Sequence, residues 1–356
     1  MTPGRKTPSK SKAAAAPSLA DVARLANVSI STASRIVNGE LGRASAETVA
    51  RVRRAIEEVR YHPNHIGRSL RRRESRIVAM LIANLDNPAM AAIMASTEAA
   101  LRADGYVMFL CDTHDRADLQ DEYLYAMRSQ GVEGYVMVTS VPSPGLKEFV
   151  EDGVPMVFVS RRNPCGPGAF VGIDNVAAGA DAADHFWFQG ITELAVLYPE
   201  PNSSATQERV SGFCRRLETR GVPPERIIHA AAPGLFHMQV GYDAAQGLAA
   251  RTRWPRGILC VSDQIAYGAY RFTQECKIPV PAACALVSID GSPLNAWLAP
   301  WLTSVFVPYG DFGRQIVELL ISIWGDDAPS DRILPHRIES SGGPGIPSRV
   351  QEPDGA

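Results

Sequence analysis

The hydrophobic residues near the N-terminus are spaced as in three short amphipathic helices. A serine precedes each pattern and can act as the N-cap of its helix: Ser18, Ser29 and Ser45. Apolar residues then recur every three or four positions, so each helix has one apolar face. Pro63 cannot extend the third helix. Residues 18–62 are therefore predicted to form a small all-α domain, and residues 63–76 a further short helix and linker.

After Arg76, short continuous apolar runs alternate with longer helical patterns. This alternation is typical of parallel sheets that are covered on both faces. The predicted strands are Ile77–Ile82, Tyr106–Leu110, Gly134–Val138, Pro155–Val159, Leu194–Leu197, Gly257–Val261, Ala285–Ile289 and Ser304–Val307. The predicted helices are Ala91–Ala103, Gln120–Arg128, Ala177–Phe188, Thr206–Arg220, Gln239–Ala250, Gln264–Glu275 and Phe312–Trp324. So long a segment exceeds the usual size of one sheet, which predicts an α/β core of two doubly wound lobes with a cleft between them.

The charges are distributed unevenly along the chain. The 356 residues have a net charge of −2, but residues 1–76 carry 16 Lys and Arg against 6 Asp and Glu, whereas the remaining 280 residues carry 20 against 32. A basic head on an acidic body indicates a polyanionic partner for the head, although a basic solubilising tail would give the same balance. The terminal segments 1–17 and 342–356 have low-complexity compositions and are predicted to be disordered.

The sequence carries no signal for export, membrane insertion or metal binding. No stretch approaches the roughly 18 apolar residues of a membrane span, and the basic N-terminus lacks the apolar segment of a secretory signal. We therefore expect a cytoplasmic protein without a membrane partner. The six cysteines form no CxxC pair, and no histidine has zinc-ligand spacing. We expect buried, reduced thiols and no cofactor.

The segment Leu19–Gly39 has the features of a helix-turn-helix. Ala23 is a small residue where the two helices would touch, and Asn27-Val28 provides the turn. The second helix would expose short polar side chains, so its N-terminus could enter a DNA major groove. The segment LADVARLANVSISTASRIVNG and the following SAETVARVRRAIEEVRYHPN resemble the headpiece of the LacI/GalR family of transcriptional regulators. The resemblance extends to about Ser341.

This resemblance implies a ligand-responsive repressor whose core has the periplasmic-binding-protein-like fold. The first lobe would comprise about residues 77–176 and 304–334, and the second lobe about residues 177–303 and 335–341. Residues 63–76 would form the hinge helix that the family inserts in the DNA minor groove. Two such helices meet in one groove, so the resemblance implies a homodimer on a near-palindromic operator in double-stranded DNA.

The resemblance also assigns DNA-binding residues by position. The second helix would contribute Ser29, Ile30, Ser31, Thr32, Ser34, Arg35 and Asn38. Of these, Ile30, Ser31 and Arg35 would face base edges, although Ile30 could be an ordinary exposed apolar residue. The hinge would contribute Asn64, Arg68, Leu70 and Arg71. Leu70 would wedge between the central base pairs. Gly67 replaces the family's usual alanine, which weakens the hinge helix by about 1 kcal/mol.

The effector-binding residues follow from the same resemblance. They are Asn87, Ser160, Arg209, Phe236, Ser262, Asp290 and Tyr309. Asp290 would accept hydrogen bonds from the ligand, and Phe236 and Tyr309 would stack on it. Two alternatives remain open at this point. Asp290 and Arg209 could form a structural ion pair across the cleft, and Phe236 could be a core residue.

Several positions depart from the family pattern in the predicted pocket. Ser160 replaces a common Asp, Ser262 a common Asn, and Val307 a common Gln, while Ala89-Met90 replaces an aromatic pair. These departures predict a ligand that is less hydroxylated than a hexose, or a different ligand altogether.

Two other classes of function compete with a regulator. The sequence lacks the GxSxG, HExxH and P-loop patterns of common enzymes, and His114 is expected at the surface or at a pocket rim. A secreted solute-binding protein would suit the core, but the headpiece and the missing signal peptide oppose it. No leucine heptad follows Ser341, which favours a dimer over a tetramer.

Overall fold

The computed structural model describes residues 17–42, 44–61, 75–201 and 203–340. Its contacts divide the chain between Ser75 and Arg76 into two compact units. The predictions for the hinge helix and for the two terminal tails concern residues 62–74, 1–16 and 341–356, which lie outside the described residues.

The described part of the first unit contains three helices. These are α1 (Leu19–Leu25), α2 (Ile30–Val37) and α3 (Ala46–Val59). The hydroxyl groups of Ser18, Ser29 and Ser45 accept hydrogen bonds from backbone N–H groups in the first turn of each helix, as predicted. The apolar faces meet in a small core formed by Val22, Ala26, Ile36, Val52 and Ala55. The helix-turn-helix prediction is confirmed.

The first lobe of the second unit contains a six-stranded parallel sheet. The elements in chain order are β1 (Ile77–Ile82), α4 (Pro88–Ala103), β2 (Val107–Asp112), α5 (Ala117–Ser129), β3 (Gly134–Val138), α6 (Pro144–Glu151), β4 (Met156–Val159) and β5 (Ala169–Ile173). A late strand, β11 (Asp331–Leu334), completes the sheet, in the order β11-β5-β4-β3-β1-β2.

The second lobe has a sheet of the same size. Its elements are α7 (Asn175–Phe188), β6 (Leu194–Glu200), α8 (Ser204–Thr219), β7 (Ile227–Pro233), α9 (His237–Ala249), β8 (Gly257–Cys260), α10 (Asp263–Glu275), β9 (Ala285–Asp290), α11 (Asn295–Leu298), β10 (Leu302–Phe306) and β12 (Arg337–Ser340). The sheet order is β12-β10-β9-β8-β6-β7, and β12 is antiparallel to its neighbour. The fold class is thus the predicted one.

The chain crosses between the lobes after β5, after β10 and after β11. The helix that follows β10, α12 (Tyr309–Trp324), packs against α4 in the first lobe. Because β10 pairs with β9 in the second sheet, the boundary expected at residue 304 lies instead after Phe306. Strand pairing decides this boundary, and the local sequence does not reveal the partner of a strand.

Two features of the core differ from the sequence-based expectations. Four strands, β5, β7, β11 and β12, were not predicted from the sequence, and neither were the helices α6 and α11. The six cysteines are free, but only Cys111, Cys260 and Cys284 are buried, while Cys276 is exposed.

The continuous apolar runs of the central strands are buried on both faces, as expected for parallel sheets between helix layers. Within the described residues, no helix is long and apolar enough to cross a membrane.

Candidate functional site

Helix α2 exposes a short polar face. Ser29, Ser31 and Asn38 are exposed, and Ile30 is 56% exposed, while the other predicted DNA-binding residues of this helix, Thr32, Ser34 and Arg35, are half-buried. The Ser29 hydroxyl lies 2.9 Å from the hydroxyl groups of Ser31 and Thr32. The first turn therefore combines three hydroxyl groups with the free N–H groups of a helix N-terminus, an arrangement suited to phosphate oxygens.

Arg35 lies on the same face as Ser31. Its Nε donates a hydrogen bond to the Ser31 carbonyl oxygen over 3.3 Å, one helical turn away. The two terminal nitrogens of the guanidinium are not part of this bond. They can form the paired hydrogen bonds by which arginine recognises the edge of guanine.

A carboxylate, a phenol and a guanidinium meet at the boundary between the lobes. Asp290 is the last residue of β9, and Tyr309 is the first residue of α12. The Tyr309 hydroxyl donates to Asp290 Oδ1 over 2.7 Å, and Arg209 Nη1 lies 3.8 Å from the same oxygen. Arg209 and Asp290 thus form the ion pair of the alternative interpretation, but both belong to the second lobe, so the pair does not span the cleft. The hydrogen bond from Tyr309 to Asp290, by contrast, does cross between the lobes.

Arg209 is held in place by two further hydrogen bonds. Its Nε donates to Asn175 Oδ1 over 2.9 Å and its Nη1 to the Val261 carbonyl oxygen over 2.6 Å. The side chain is only 13% exposed. Helix α8, which carries Arg209, can approach α7 closely because Gly179 has no Cβ: an added Cβ would lie 2.0 Å from the Arg209 carbonyl oxygen. The close approach of α7 and α8 at Gly179 therefore helps to position the Arg209 guanidinium.

Burial changes the acidity of two side chains in this region. Burial raises the pKa of Asp290 to about 7, against the opposing effect of Arg209, and the nearby charge of Asp263 raises it further. Burial lowers the pKa of His237 to about 4, and the positive charges of Arg161 and Arg209 lower it further. Near neutral pH, His237 is thus uncharged and Asp290 is poised between its two forms.

His237 lies near charged side chains of both lobes. Its Nδ1 lies 3.0 Å from the hydroxyl of Ser262, which is the buried N-cap of α10. In the first lobe, Arg161 forms an ion pair of 2.7 Å with Asp115, and both side chains are 20% exposed. The charges of Asp115, Arg161 and Arg209 all act on His237.

A cavity of about 220 Å³ lies beside Asp290. Three predicted effector-binding residues line it: Asn87, Asp290 and Tyr309. Arg209 contacts the cavity lining through Asp290. Its other walls come from the start of α4, the start of α10 and the segments that follow β9 and β10.

The remaining predicted effector-binding residues do not line this cavity. Ser262 is engaged with His237 beside it. Ser160 follows β4 with a left-handed backbone (φ +64°), and its neighbour Arg161 forms the ion pair described above. Phe236 precedes α9 and is 50% exposed, so the alternative of a core residue is wrong. His114 is also exposed, as expected for a surface histidine.

Sequence reasoning missed several residues of the cleft. Gln264 lines the cavity, while Arg161 and Asp115 form an ion pair whose charges act on His237. The position of Asp115 and Arg161 just after β2 and β4 was an available signal, because ligands bind at the carboxyl ends of parallel strands. In the described part of the chain, no group of three or more His, Cys, Asp or Glu side chains could hold a metal ion.

Comparisons with known proteins agree with this division into a headpiece and a two-lobed core. Residues 18–64 match the family described as bacterial regulatory proteins, lacI family, and residues 183–339 match the periplasmic binding protein-like domain. The HTH-type transcriptional regulator PtxS of Pseudomonas aeruginosa is 30% identical over 319 residues, which are 88% of this chain and 91% of that protein. The chain belongs to the LacI family. It is a transcriptional regulator with a helix-turn-helix headpiece and a periplasmic-binding-protein-like core.

Other members of the LacI family show the same correspondence over nearly the whole chain. The HTH-type transcriptional repressor PurR of Aliivibrio salmonicida is 28% identical over 88% of this chain and 94% of its own. The crystal structure of the Lac repressor dimer bound to operator and the anti-inducer ONPF covers 92% of this chain and 99% of that one, with a TM-score of 0.81 at 21% identity. At this identity the likeness establishes the fold. The relatives compared here are named as regulators, not as enzymes.

Proposed function

We propose that this LacI-family regulator is a cytoplasmic, homodimeric repressor that binds a near-palindromic operator and responds to a small polar metabolite in the interlobe cleft. The observation that carries the proposal is the exposed face of α2, where hydroxyl groups and Arg35 surround a helix N-terminus. The basic balance of residues 1–76 supports a polyanionic partner for this part of the chain.

In this proposal α2 reads the operator from the major groove. Ile30, Ser31 and Arg35 contact base edges, while Ser29, Thr32, Ser34 and Asn38 contact phosphates. The hinge residues Asn64, Arg68, Leu70 and Arg71 contact the minor groove, with Leu70 as the wedge. These four residues lie outside the described part of the chain, and their roles rest on the sequence resemblance.

The effector is proposed to bind where the two lobes meet. Asp290 and Arg209 bind its polar end, with Asn87, Tyr309, Ser262, Ser160 and Phe236 around it. Because Asp290 and Arg209 belong to one lobe and Tyr309 to the other, a ligand here favours one arrangement of the lobes over others. Effector and operator then change each other's affinity by the same factor, typically about 5–150-fold.

The DNA-binding part of the proposal is tested by selecting fragments of the source genome on the purified protein at low salt, followed by gel shifts. Affinity for the selected duplex should fall steeply with salt, since each neutralised phosphate contributes about −0.9 to the log–log slope. Replacing Arg35 by Ala should weaken specific binding by about 1–3 kcal/mol and relax the preference for one base pair.

Arg102→Ala is a matched control, because Arg102 is an exposed arginine in the first lobe, outside the helix-turn-helix headpiece. It should leave DNA affinity unchanged. Failure of the wild-type protein to bind any genomic duplex at low ionic strength would refute the repressor proposal. Equal loss in both variants would remove Arg35 from the base-reading set.

A further inference from the structure

The cavity beside Asp290 has mainly apolar walls. The start of α4 contributes Pro88, Ala89 and Ala92, and the end of β10 and the residue after it contribute Phe306 and Val307. Val307 is only 2% exposed, so its side chain forms a fixed wall. A ligand in this cavity meets mostly hydrocarbon surface.

Most polar side-chain atoms that border the cavity are already engaged within the protein. Asp263 accepts hydrogen bonds from Ser288, Ser304, Asn295 and the backbone N–H of Ser292. The Tyr267 hydroxyl donates to Asn295 Oδ1.

The same holds on the other side of the cavity. Gln264 Nε2 donates to the Asp86 carbonyl oxygen over 3.1 Å, and Asn87 Oδ1 accepts from the N–H of Ala89 over 2.9 Å. Asp290 accepts from the Tyr309 hydroxyl and from the N–H of Asp263. Apart from the remaining atoms of these two side-chain amides, a ligand would find few free partners here besides Asp290 and the neighbouring Arg209.

This arrangement discriminates between ligand classes. Each sugar hydroxyl that left water for this cavity without a new partner would weaken binding by roughly tenfold or more. An apolar group would instead gain affinity from leaving water, in proportion to the area it buries.

We propose that the effector of this regulator is an amphipathic small molecule rather than a polyhydroxylated sugar. A compact apolar group, either an aromatic or a saturated hydrocarbon ring, fills the cavity between Ala92 and Val307, and a single polar end faces Asp290, Tyr309 and Arg209. This inference rests on the proposed effector site and narrows the class of its ligand.

Ligand-observed NMR on the full-length protein tests the proposal with six-membered ring probes. Benzyl alcohol and cyclohexylmethanol carry an apolar ring with one neutral hydroxyl end that can donate to Asp290, whereas glucose and myo-inositol have a ring of the same size covered with hydroxyl groups. At probe concentrations up to 20 mM, both apolar-ring probes should bind and both polyols should not. Replacing Ala92 by Leu fills the cavity and should reduce affinity for the apolar-ring probes at least tenfold.

Two further variants guard against misfolding and surface effects. Val307→Thr keeps the volume of the wall but adds a hydroxyl group, and it should weaken apolar-ring binding several-fold. Ala249→Leu makes the same change as Ala92→Leu at an exposed position of α9 outside the cavity lining, and it should leave binding unchanged.

Several results would overturn the proposal. They are binding of glucose or myo-inositol that Ala92→Leu abolishes, apolar-ring binding that neither cavity variant alters, and the absence of any apolar-ring binding at 20 mM. A gel shift on the same preparation separates this failure from that of the proposed function. A protein that binds its operator but not the apolar rings keeps the repressor proposal and loses only the ligand class.

Discussion

At the scale of single residues, two buried side chains of the cleft have shifted pKa values. The pKa of His237 is lowered and that of Asp290 is raised, and the two shifts have opposite effects on how stability changes with pH. Unfolded histidine binds a proton below about pH 6.5, but native His237 does so only below about pH 4. Stability therefore rises with pH across this window. Native Asp290 keeps its proton up to about pH 7, but the unfolded carboxyl loses its proton near pH 3.8, so stability falls with pH across that window.

The two slopes should nearly cancel between pH 4 and pH 6.5, since each amounts to at most about 1.4 kcal/mol per pH unit. Replacing Asp290 by Asn removes the falling slope. The free energy of unfolding of this variant, relative to wild type, should therefore increase with pH from pH 4 up to about pH 7.

Urea unfolding at pH 4.5, 5.5, 6.5 and 8 measures this difference, and His237→Gln should give a slope of opposite sign. Parallel stability curves for wild type and Asp290→Asn would show that the carboxyl titrates normally in the native protein.

The local sequence predicted some residue roles and not others. Ser18, Ser29 and Ser45 were predicted as caps because a cap bonds to backbone only a few residues away. The Arg161–Asp115 ion pair was not predicted, because its partners are 46 residues apart and meet only when β2 and β4 end at the same edge of the sheet.

At the scale of elements, two pairs of helices in the second lobe cross at glycines. A Cβ on Gly179 of α7 or Gly212 of α8 would lie 2.0 Å from a backbone oxygen of the other helix. Gly241 of α9 and Gly268 of α10 make the same kind of contact, at 2.0 and 1.9 Å. These crossings bring α8 and α10 to the positions from which Arg209 and Ser262 reach the cleft.

Replacing Gly179 by Ala should force α7 and α8 apart. The expected loss of stability is about 1–3 kcal/mol, because overpacking outweighs the better helix propensity of alanine. Chemical unfolding at constant pH measures the change.

Gly247→Ala is the matched control, because Gly247 also lies in a helix, α9, and a Cβ there has no neighbour closer than 3.9 Å. It should stabilise the protein by up to about 1 kcal/mol. A Gly179→Ala protein as stable as Gly247→Ala would mean that the helices separate without cost.

Helices were predicted better than strands for a physical reason. The apolar periodicity of a long helix such as α12 is contained in one continuous segment of the sequence and can be recognised there. Edge strands β11 and β12 are four residues long and partly exposed, and β7 has the alanine-rich sequence IIHAAAP. Such segments become strands through pairing with a neighbour already in place, which no local pattern reports.

At the scale of the whole molecule, one buried side chain forms a hydrogen bond between the lobes. Gln264 belongs to α10 of the second lobe and is 5% exposed, and its amide donates to the carbonyl oxygen of Asp86 in the first lobe. The bond lies beside the cavity, where it favours the arrangement of the lobes seen in this structure.

Replacing Gln264 by Leu should weaken this arrangement by about 1 kcal/mol, the typical net contribution of one hydrogen bond. Hydrogen exchange of the backbone around Asp86 should become about fivefold faster. Gln246→Leu, at an exposed position of α9, is the control and should leave the exchange unchanged. Unaltered exchange in Gln264→Leu would show that this bond does not hold the lobes.

The sequence by itself determined the three-helix headpiece, the alternating α/β core, the polar face of α2 and the family of regulators. These features depend on residues close together in the chain, through caps, periodicity and short motifs. Only the tertiary structure decided the strand order and the point after Phe306 where the chain crosses between the lobes. It alone also decided the contacts of Asp290 with Tyr309 and Arg209, and the cavity beside them. Each of these joins residues from distant segments, and their mutual packing, not their local sequence, sets which groups meet.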